Sequence, residues 1–211
     1  MFLDNLFDKL IEKSRINKYK LFYNLLNPSQ TSKILDIGAE MCERRSSDNI
    51  LEKLYPYQQN IIAAGLHSFN SKCWRYPEIV YVQCDAIYLP FIDNSFDIAY
   101  SNAVIEHIEG EKQKQMFIRE ILRVARVVFI TTPNRWFPLE VHTKIPFLSW
   151  LPRPLFKRGI NMVMGKGYSL TPLSLRSLNS LFHKDVEVNI FSQGFIKPFP
   201  HFLTAVAKKS N

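Results

Sequence analysis

The chain has 211 residues, 46% of them apolar and 22% charged, with 27 Lys and Arg against 19 Asp and Glu, a net charge of +8. Those proportions exclude a mainly disordered chain, and the length suits one domain. The excess of base points to an anionic partner, and it is unevenly placed. Residues 1–130 hold 16 basic and 16 acidic side chains, whereas residues 131–211 hold 11 basic and 3 acidic ones, Glu140, Asp185 and Glu187.

Residues 2–26 set Leu3, Leu6, Phe7, Leu10 and Ile11, then Leu21, Phe22, Leu25 and Leu26, at helical spacing. This predicts one or two amphipathic helices ending before Pro28, with the apolar face packed on the domain. The start lacks the basic residues and unbroken apolar stretch of a signal peptide. The uncharged stretch 54–71 is interrupted by Pro56, Gln58, Gln59, Asn60 and His67, so no membrane span is expected.

Short apolar runs then alternate with helical patterns. Strands are predicted at 33–38, 60–65, 79–84, 96–101 and 126–131. Helices are predicted after the caps Ser46, Ser47 and Asp48, and over 109–124. From Pro133 to Leu170 the regular pattern stops. Five prolines are interleaved there with Trp136, Phe137, Phe147, Trp150 and Phe156, as in a long functional loop. Thr171-Pro172 reads as a cap and first turn of a helix reaching about Phe182. Residues 185–191 and 202–207 read as two antiparallel strands.

The expected fold is therefore α/β: a doubly wound, Rossmann-like, mostly parallel seven-stranded sheet with helices on both faces and an antiparallel C-terminal hairpin. It divides into N-terminal helices (1–28), a core (30–132), an aromatic and basic insertion (133–170) and a C-terminal helix with the last two strands (171–211). Cys42, Cys73 and Cys84 form no CxxC pair and no metal-like spacing with the five histidines. That predicts reduced thiols, a cytosolic address and no metal site.

Ligands of such sheets bind beyond the C-terminal strand ends. Asp36 and Gly38 end the first strand, Asp85-Ala86 the third, Ser101-Asn102-Ala103 the fourth and Thr132-Pro133-Asn134 the fifth. Three segments, Lys33-Ile-Leu-Asp-Ile-Gly38, Val82-Gln-Cys-Asp-Ala86 and Leu89-Pro-Phe through Glu106-His-Ile108, resemble the class I S-adenosylmethionine-dependent methyltransferases, most closely the type-11 domain. The resemblance covers about residues 30–135.

It implies a cofactor, S-adenosylmethionine, and roles for named residues. Asp36 and Gly38 would shape the turn under its methionine portion. Asp85 would accept from the adenine amino group, with Ala86 donating its backbone N–H, and Asn102 would line the floor. Two departures stand out. The family's Gly-x-Gly-x-Gly turn reads Gly38-Ala39-Glu40-Met41-Cys42 here, and the second strand ends in Leu66-His67 with no ribose-binding acid. Glu40 could meet the methionine amino group and His67 a ribose hydroxyl. These changes fit an altered binding mode or a domain that has lost the cofactor, and the intact Asp85 and Asn102 segments favour retention.

Glu106-His107 reads as a cap or core pair. Glu140 and His142 are the weak candidates for touching the substrate or its leaving proton. Arg135, Lys144, Arg153, Lys157, Arg158 and Lys166, set among aromatics, suggest an amphipathic or anionic small-molecule or lipid-like acceptor. A peripheral membrane contact through 135–158 is a related reading. Nucleic acid ranks below these, since no RNA-binding module is appended and the first 130 residues are neutral. A non-catalytic Rossmann-like binding or scaffold protein is the rival reading.

Overall fold

The computed structural model describes residues 2–194 and 199–209, with side chains from residue 8 onward. Helix α1 (Phe2–Leu26) leads into strand β1 (Ile34–Ile37), and short helix α2 (Ile50–Leu54) precedes β2 (Ile61–Gly65) and β3 (Val80–Gln83). Then come β4 (Phe96–Asn102), α3 (Glu111–Val124) and β5 (Ala125–Pro133). Helices α4 (Arg153–Met164) and α5 (Leu175–Asn179) follow, and β6 (Val186–Gln193) and β7 (Phe202–Lys209) close the chain.

One seven-stranded sheet runs β3-β2-β1-β4-β5-β7-β6. The first five strands pair in parallel, while β7 pairs antiparallel with both β5 and β6. The order reverses between β1 and β4, where the parallel strands begin to wind the other way, and a ligand crevice is expected at such a switch. The central strands read as continuous apolar runs because both faces are covered: β1 is buried at all four positions. One core, including Leu35, Ile37, Phe117, Ile121 and Val128, lies under α3. Another, including Phe22, Ile34, Leu51, Tyr100 and Phe129, lies under α1 and α2.

Several expectations are corrected. Leu3, Leu6 and Phe7 lie outside the described side chains, but Leu10 and Leu25 are exposed and the buried residues of α1 are Ser14, Lys18 and Phe22. The spacing of four still defines one face, yet Ser14 and Lys18 on it are polar where the helix crosses the crevice end of the sheet. Phe22 anchors it against Tyr100 and Phe129, at ring-centroid distances of 5.1 and 5.4 Å. Burying that ring contributes on the order of 1.5–3 kcal/mol.

Asn49, at φ 51°, stands at the N-cap of α2 and offers no side-chain cap bond. Asp48 instead accepts from the backbone N–H groups of Arg44 and Arg45, both at 3.0 Å, and fixes the preceding turn. Residues 133–170 contain a twelve-residue helix, α4, with Pro152 at its N-cap and a proline in its first turn. Prolines that read as breakers are at home in that turn, where no N–H partner is lost. Helix α5 begins after Ser174, which forms a capping box with Ser177, and not at Thr171-Pro172.

The thiols are corrected as well. Cys42 and Cys73 form a disulfide, with Cα atoms 4.8 Å apart, and Cys84 is free. Cys42 follows β1 and Cys73 follows β2, and these strands are parallel neighbours. The sheet therefore sets their trailing loops side by side, which a separation of 31 residues does not announce.

Candidate functional site

A cavity of about 400 Å³ opens at the C-terminal ends of β1, β2, β3 and β4. Its walls include Asp36, Gly38, Ala39, Glu40, Leu66, His67, Asp85, Ala86 and Asn102. Every residue assigned from sequence to the cofactor thus lines one pocket. Glu140 and His142 are not among its walls.

The turn after β1 shows how the altered glycine pattern is supported. Gly38 has φ +94°, and a Cβ there would meet Val104 at 2.2 Å, so only glycine fits. The N–H groups of Gly38 and Ala39 both reach the Ala64 carbonyl, at 2.8 and 3.2 Å. Beyond them, the Asn49 side chain accepts from Glu40 N–H at 2.9 Å and donates to the Glu40 carbonyl at 2.8 Å. This amide clamp and the Cys42–Cys73 bridge hold a turn that the missing glycines would otherwise leave free to vary.

At the floor, Asp36 and Glu52 are both buried. Burial, then repulsion from Glu52, raises Asp36 well above the ordinary carboxylate range. Burial raises Glu52 as well, and neither of its oxygens has a hydrogen-bond partner. The pair therefore favours holding a proton. Asn102 is fixed differently: its Oδ1 accepts from Thr131 Oγ1 at 2.7 Å and from Lys18 Nζ at 3.1 Å. Burial, then Arg15, brings Lys18 down to about 8. The next residue, Ala103, sits at φ 60°, a left-handed conformation that costs about 1–2 kcal/mol outside glycine. Strain of this kind gathers where a pocket dictates the backbone.

On the far side, Asp85 is exposed and its Oδ1 accepts from Ile87 N–H at 3.1 Å, a local turn bond. Leu66 is 70% exposed, and no carboxylate follows β2 in register. The Glu40 carboxylate does act on Tyr81, whose hydroxyl donates to the His67 carbonyl at 3.1 Å. Arg15, Asn49, Glu52, Val104 and His107 also line the pocket and were not anticipated. Arg15 comes from α1, with no motif to mark it. Glu52 left one trace, an acid in the apolar stretch Ile50-Leu51-Glu52.

The two weak catalytic candidates sit beside the pocket. Glu140 is buried and accepts from His142 N–H, His142 Nδ1, Thr143 N–H and Thr143 Oγ1 at 2.6–3.0 Å. Burial alone would raise it, but the hydrogen bonds and charge of His142 outweigh that and bring it to about 2. Its oxygens orient its own loop, which leaves His142 as the outward-facing member. The His142 ring stands 5.1 Å from that of His107.

Residues 35–127 match the family model described as a methyltransferase domain. Over this stretch the chain is similar to a methyltransferase domain. The switch point between β1 and β4 and all the pocket walls except Arg15 fall within it. The chain superposes on a Thermotoga maritima S-adenosylmethionine-dependent methyltransferase, described as a possible histamine N-methyltransferase, with TM-score 0.62 and 15% identity over 95% of this chain and 92% of that one. A putative S-adenosylmethionine-dependent methyltransferase from Listeria monocytogenes gives TM-score 0.62 at 10% identity, covering 94% and 99%. A Haloferax volcanii putative methyltransferase, solved in complex with the Trm112 activator, gives 0.60 at 12%, covering 97% and 94%. At such identities the likeness speaks for the fold. No curated protein matches the chain in sequence.

The family match and the structural neighbours imply S-adenosylmethionine as the cofactor. The site suits a ligand of that kind in three respects. Its volume lies in the range of small-molecule pockets, Gly38 brings backbone to the wall without a side chain, and Asp85 and Glu40 offer acceptors at two sides.

Proposed function

We propose that the methyltransferase binds its cofactor through Asp36, Gly38, Ala39, Glu40, Leu66, His67, Asp85, Ala86 and Asn102, and methylates an amphipathic or anionic small-molecule or lipid-like acceptor. The observation that carries this reading is the meeting of those nine residues in one pocket, next to a segment that is both basic and apolar at its surface. Bound S-adenosylmethionine supplies an electrophilic methyl group on a sulfonium. The protein's part is mainly positioning, which can account for much of the rate of an in-line transfer. Asn102 presents a preset amide because its Oδ1 is held twice. Gly38 lets the β1 turn approach closely. Asp85 keeps Oδ2 for a ligand, and Ala86 stands beside it. With no acid after β2, we assign Glu40, whose charge acts on Tyr81 beside His67, to the ribose side.

The acceptor reading rests on the segment after β5. A second cavity, of about 380 Å³, begins at Glu109, next in the chain to His107 and Ile108 of the first. Arg135, Arg153, Phe156, Ile160, Leu170 and Leu181 are among its walls, giving cationic and apolar surface together. Around it Trp136, Phe147, Leu155, Met162 and Val163 are roughly half exposed or more. No described helix is long and apolar enough to cross a membrane. An exposed face of this character, flanked by Arg153, Lys157, Arg158 and Lys166, suits contact with an anionic bilayer surface or with an amphipathic acceptor.

Calorimetric titration with S-adenosylmethionine and S-adenosylhomocysteine tests the cofactor half. Both are expected to bind, and Asp85→Ala to weaken binding on the order of tenfold through one lost hydrogen bond. Absence of binding by folded protein would refute the cofactor assignment, and unchanged affinity in Asp85→Ala would refute the placement of the adenine.

A further inference from the structure

The short 3-10 turn Ile105–His107 places a carboxyl side chain out of reach of water. Glu106 is 0% exposed. Its Oε2 accepts from Thr132 Oγ1 at 3.1 Å, while Oε1 is buried with no hydrogen-bond partner. An unsatisfied buried acceptor costs on the order of 1–3 kcal/mol, and more when charged. The neighbouring cations do not relieve it. Lys18 and Lys114 feel its charge, but Lys18 bonds to Asn102 Oδ1 and Lys114 to the carbonyls of Ile105 and Ile108.

Two imidazoles face this carboxylate. His107 Nδ1 lies 3.1 Å from the Ser169 carbonyl. A carbonyl only accepts, so Nδ1 carries the hydrogen and Nε2 keeps its lone pair. His142 Nδ1 lies 2.8 Å from Glu140 Oε1, an oxygen that also accepts from the His142 backbone N–H at 3.0 Å, so the hydrogen is placed on Nδ1 here too. A histidine that donates its other N–H to a carbonyl or carboxylate is the usual arrangement behind a metal. One ring nitrogen of His107, one of His142 and a carboxylate oxygen of Glu106 all lie within 4.8 Å of one another.

We propose that Glu106, His107 and His142 form a binding site for a first-row divalent cation, with Glu140 as a positioning residue behind His142. Two imidazoles and one carboxylate favour zinc, cobalt or manganese over calcium or magnesium, which prefer oxygen ligands throughout. Donors bound at about 2.1 Å to one tetrahedral ion stand about 3.4 Å apart. The three side chains must therefore draw in from the observed spread, and His142, on a loop, has the freedom to do so. Three protein ligands leave at least one coordination position open. His107 lines the cofactor pocket, so that position is reached from the side of the chemistry. There an oxygen or nitrogen of the acceptor would complete the sphere, a consequence that rests on the methyltransferase reading, whereas the site itself does not. Spacing gave no hint of this site, because the third ligand comes 35 positions after the second.

The test uses chelator-treated full-length protein without cofactor. Cobalt(II) is added with its visible absorption followed, and zinc(II) is titrated by calorimetry. One ion per chain is expected. Glu106→Gln and His142→Ala should each lower affinity at least tenfold. Glu140→Gln should lower it by about 10–100-fold, as loss of an outer partner does, while Cys84→Ser leaves it unchanged. His142 is half-buried on a loop, so its variant keeps the test sound if Glu106→Gln misfolds. Absence of stoichiometric binding by folded protein, or equal affinity in His142→Ala, overturns the proposal. Either result leaves S-adenosylmethionine binding to be judged separately.

Discussion

Asp36 and Glu52 show how one residue pair ties stability to the pocket. Glu52 gives up its proton at higher pH in the folded protein than in the unfolded chain. Its stabilising contribution is therefore complete below the ordinary carboxylate value of 4.5 and is lost as pH rises through the folded value. Glu52→Gln keeps the shape and has no proton to lose. The variant should match or exceed the parent in melting temperature, with a larger advantage at pH 7.5 than at pH 4. Thermal unfolding at the two pH values decides it; a variant less stable at both, with an unchanged pH slope, would show that the pair is not strained. Asp36 was legible in the sequence because it ends a strand in a known pattern. Glu52 was not, since it comes from a helix whose contact with β1 only folding creates.

At the scale of elements, the loops after β1 and β2 carry much of the site and have little regular structure of their own. Gly38–Cys42 and Leu66–Cys73 are joined by the disulfide, closing a loop of 31 residues. Such a bridge typically contributes about 2–4 kcal/mol, mainly by restricting the unfolded chain. Cys73→Ser should lower stability by that order in urea unfolding. It should also weaken cofactor binding, because Glu40 and His67 lie on the two tethered loops. Reduction of the parent should reproduce both effects. Unaltered stability would mean the bridge closes nothing that the rest of the fold has not already closed. Helix α1 makes a related point. Its amphipathic spacing predicted a helix packed on the domain, and Phe22, Leu21 and Leu26 do pack on the core, but the buried Ser14 and Lys18, two turns and one turn earlier, face the crevice end of the sheet.

Over the whole molecule the charge is divided as the fold is. The first 130 residues are neutral and line the cavity at the strand ends, and the excess base follows β5. Lys157 pairs with Glu109 at 3.2 Å, but both are well exposed and such pairs contribute little, leaving the cation available to a partner. Vesicles containing anionic lipid should therefore co-sediment the protein at low salt and release it as salt rises. Replacing Lys157, Arg158 and Lys166 together by alanine should weaken partitioning by about 3 kcal/mol, roughly one per basic residue near the surface. Binding that ignores both salt and these substitutions would refute an electrostatic contact. If the parent does not bind vesicles, the cationic face serves a soluble acceptor.

The sequence by itself determined the parallel sheet, its antiparallel end and the positions that ring the cofactor pocket. Those depend on local patterns: apolar runs of strand length, a glycine at a sharp turn, and polar residues directly after each strand. Tertiary structure alone decided the Cys42–Cys73 bridge, the Asn49 clamp on Glu40 and the gathering of Glu106, His107 and His142. The bridge and the cluster join segments that become neighbours only when parallel strands align their loop ends, and the clamp closes one loop on itself through the left-handed Asn49. The helix hidden in 153–164 belongs between the two, since its prolines are read correctly only once they are known to stand in a first turn.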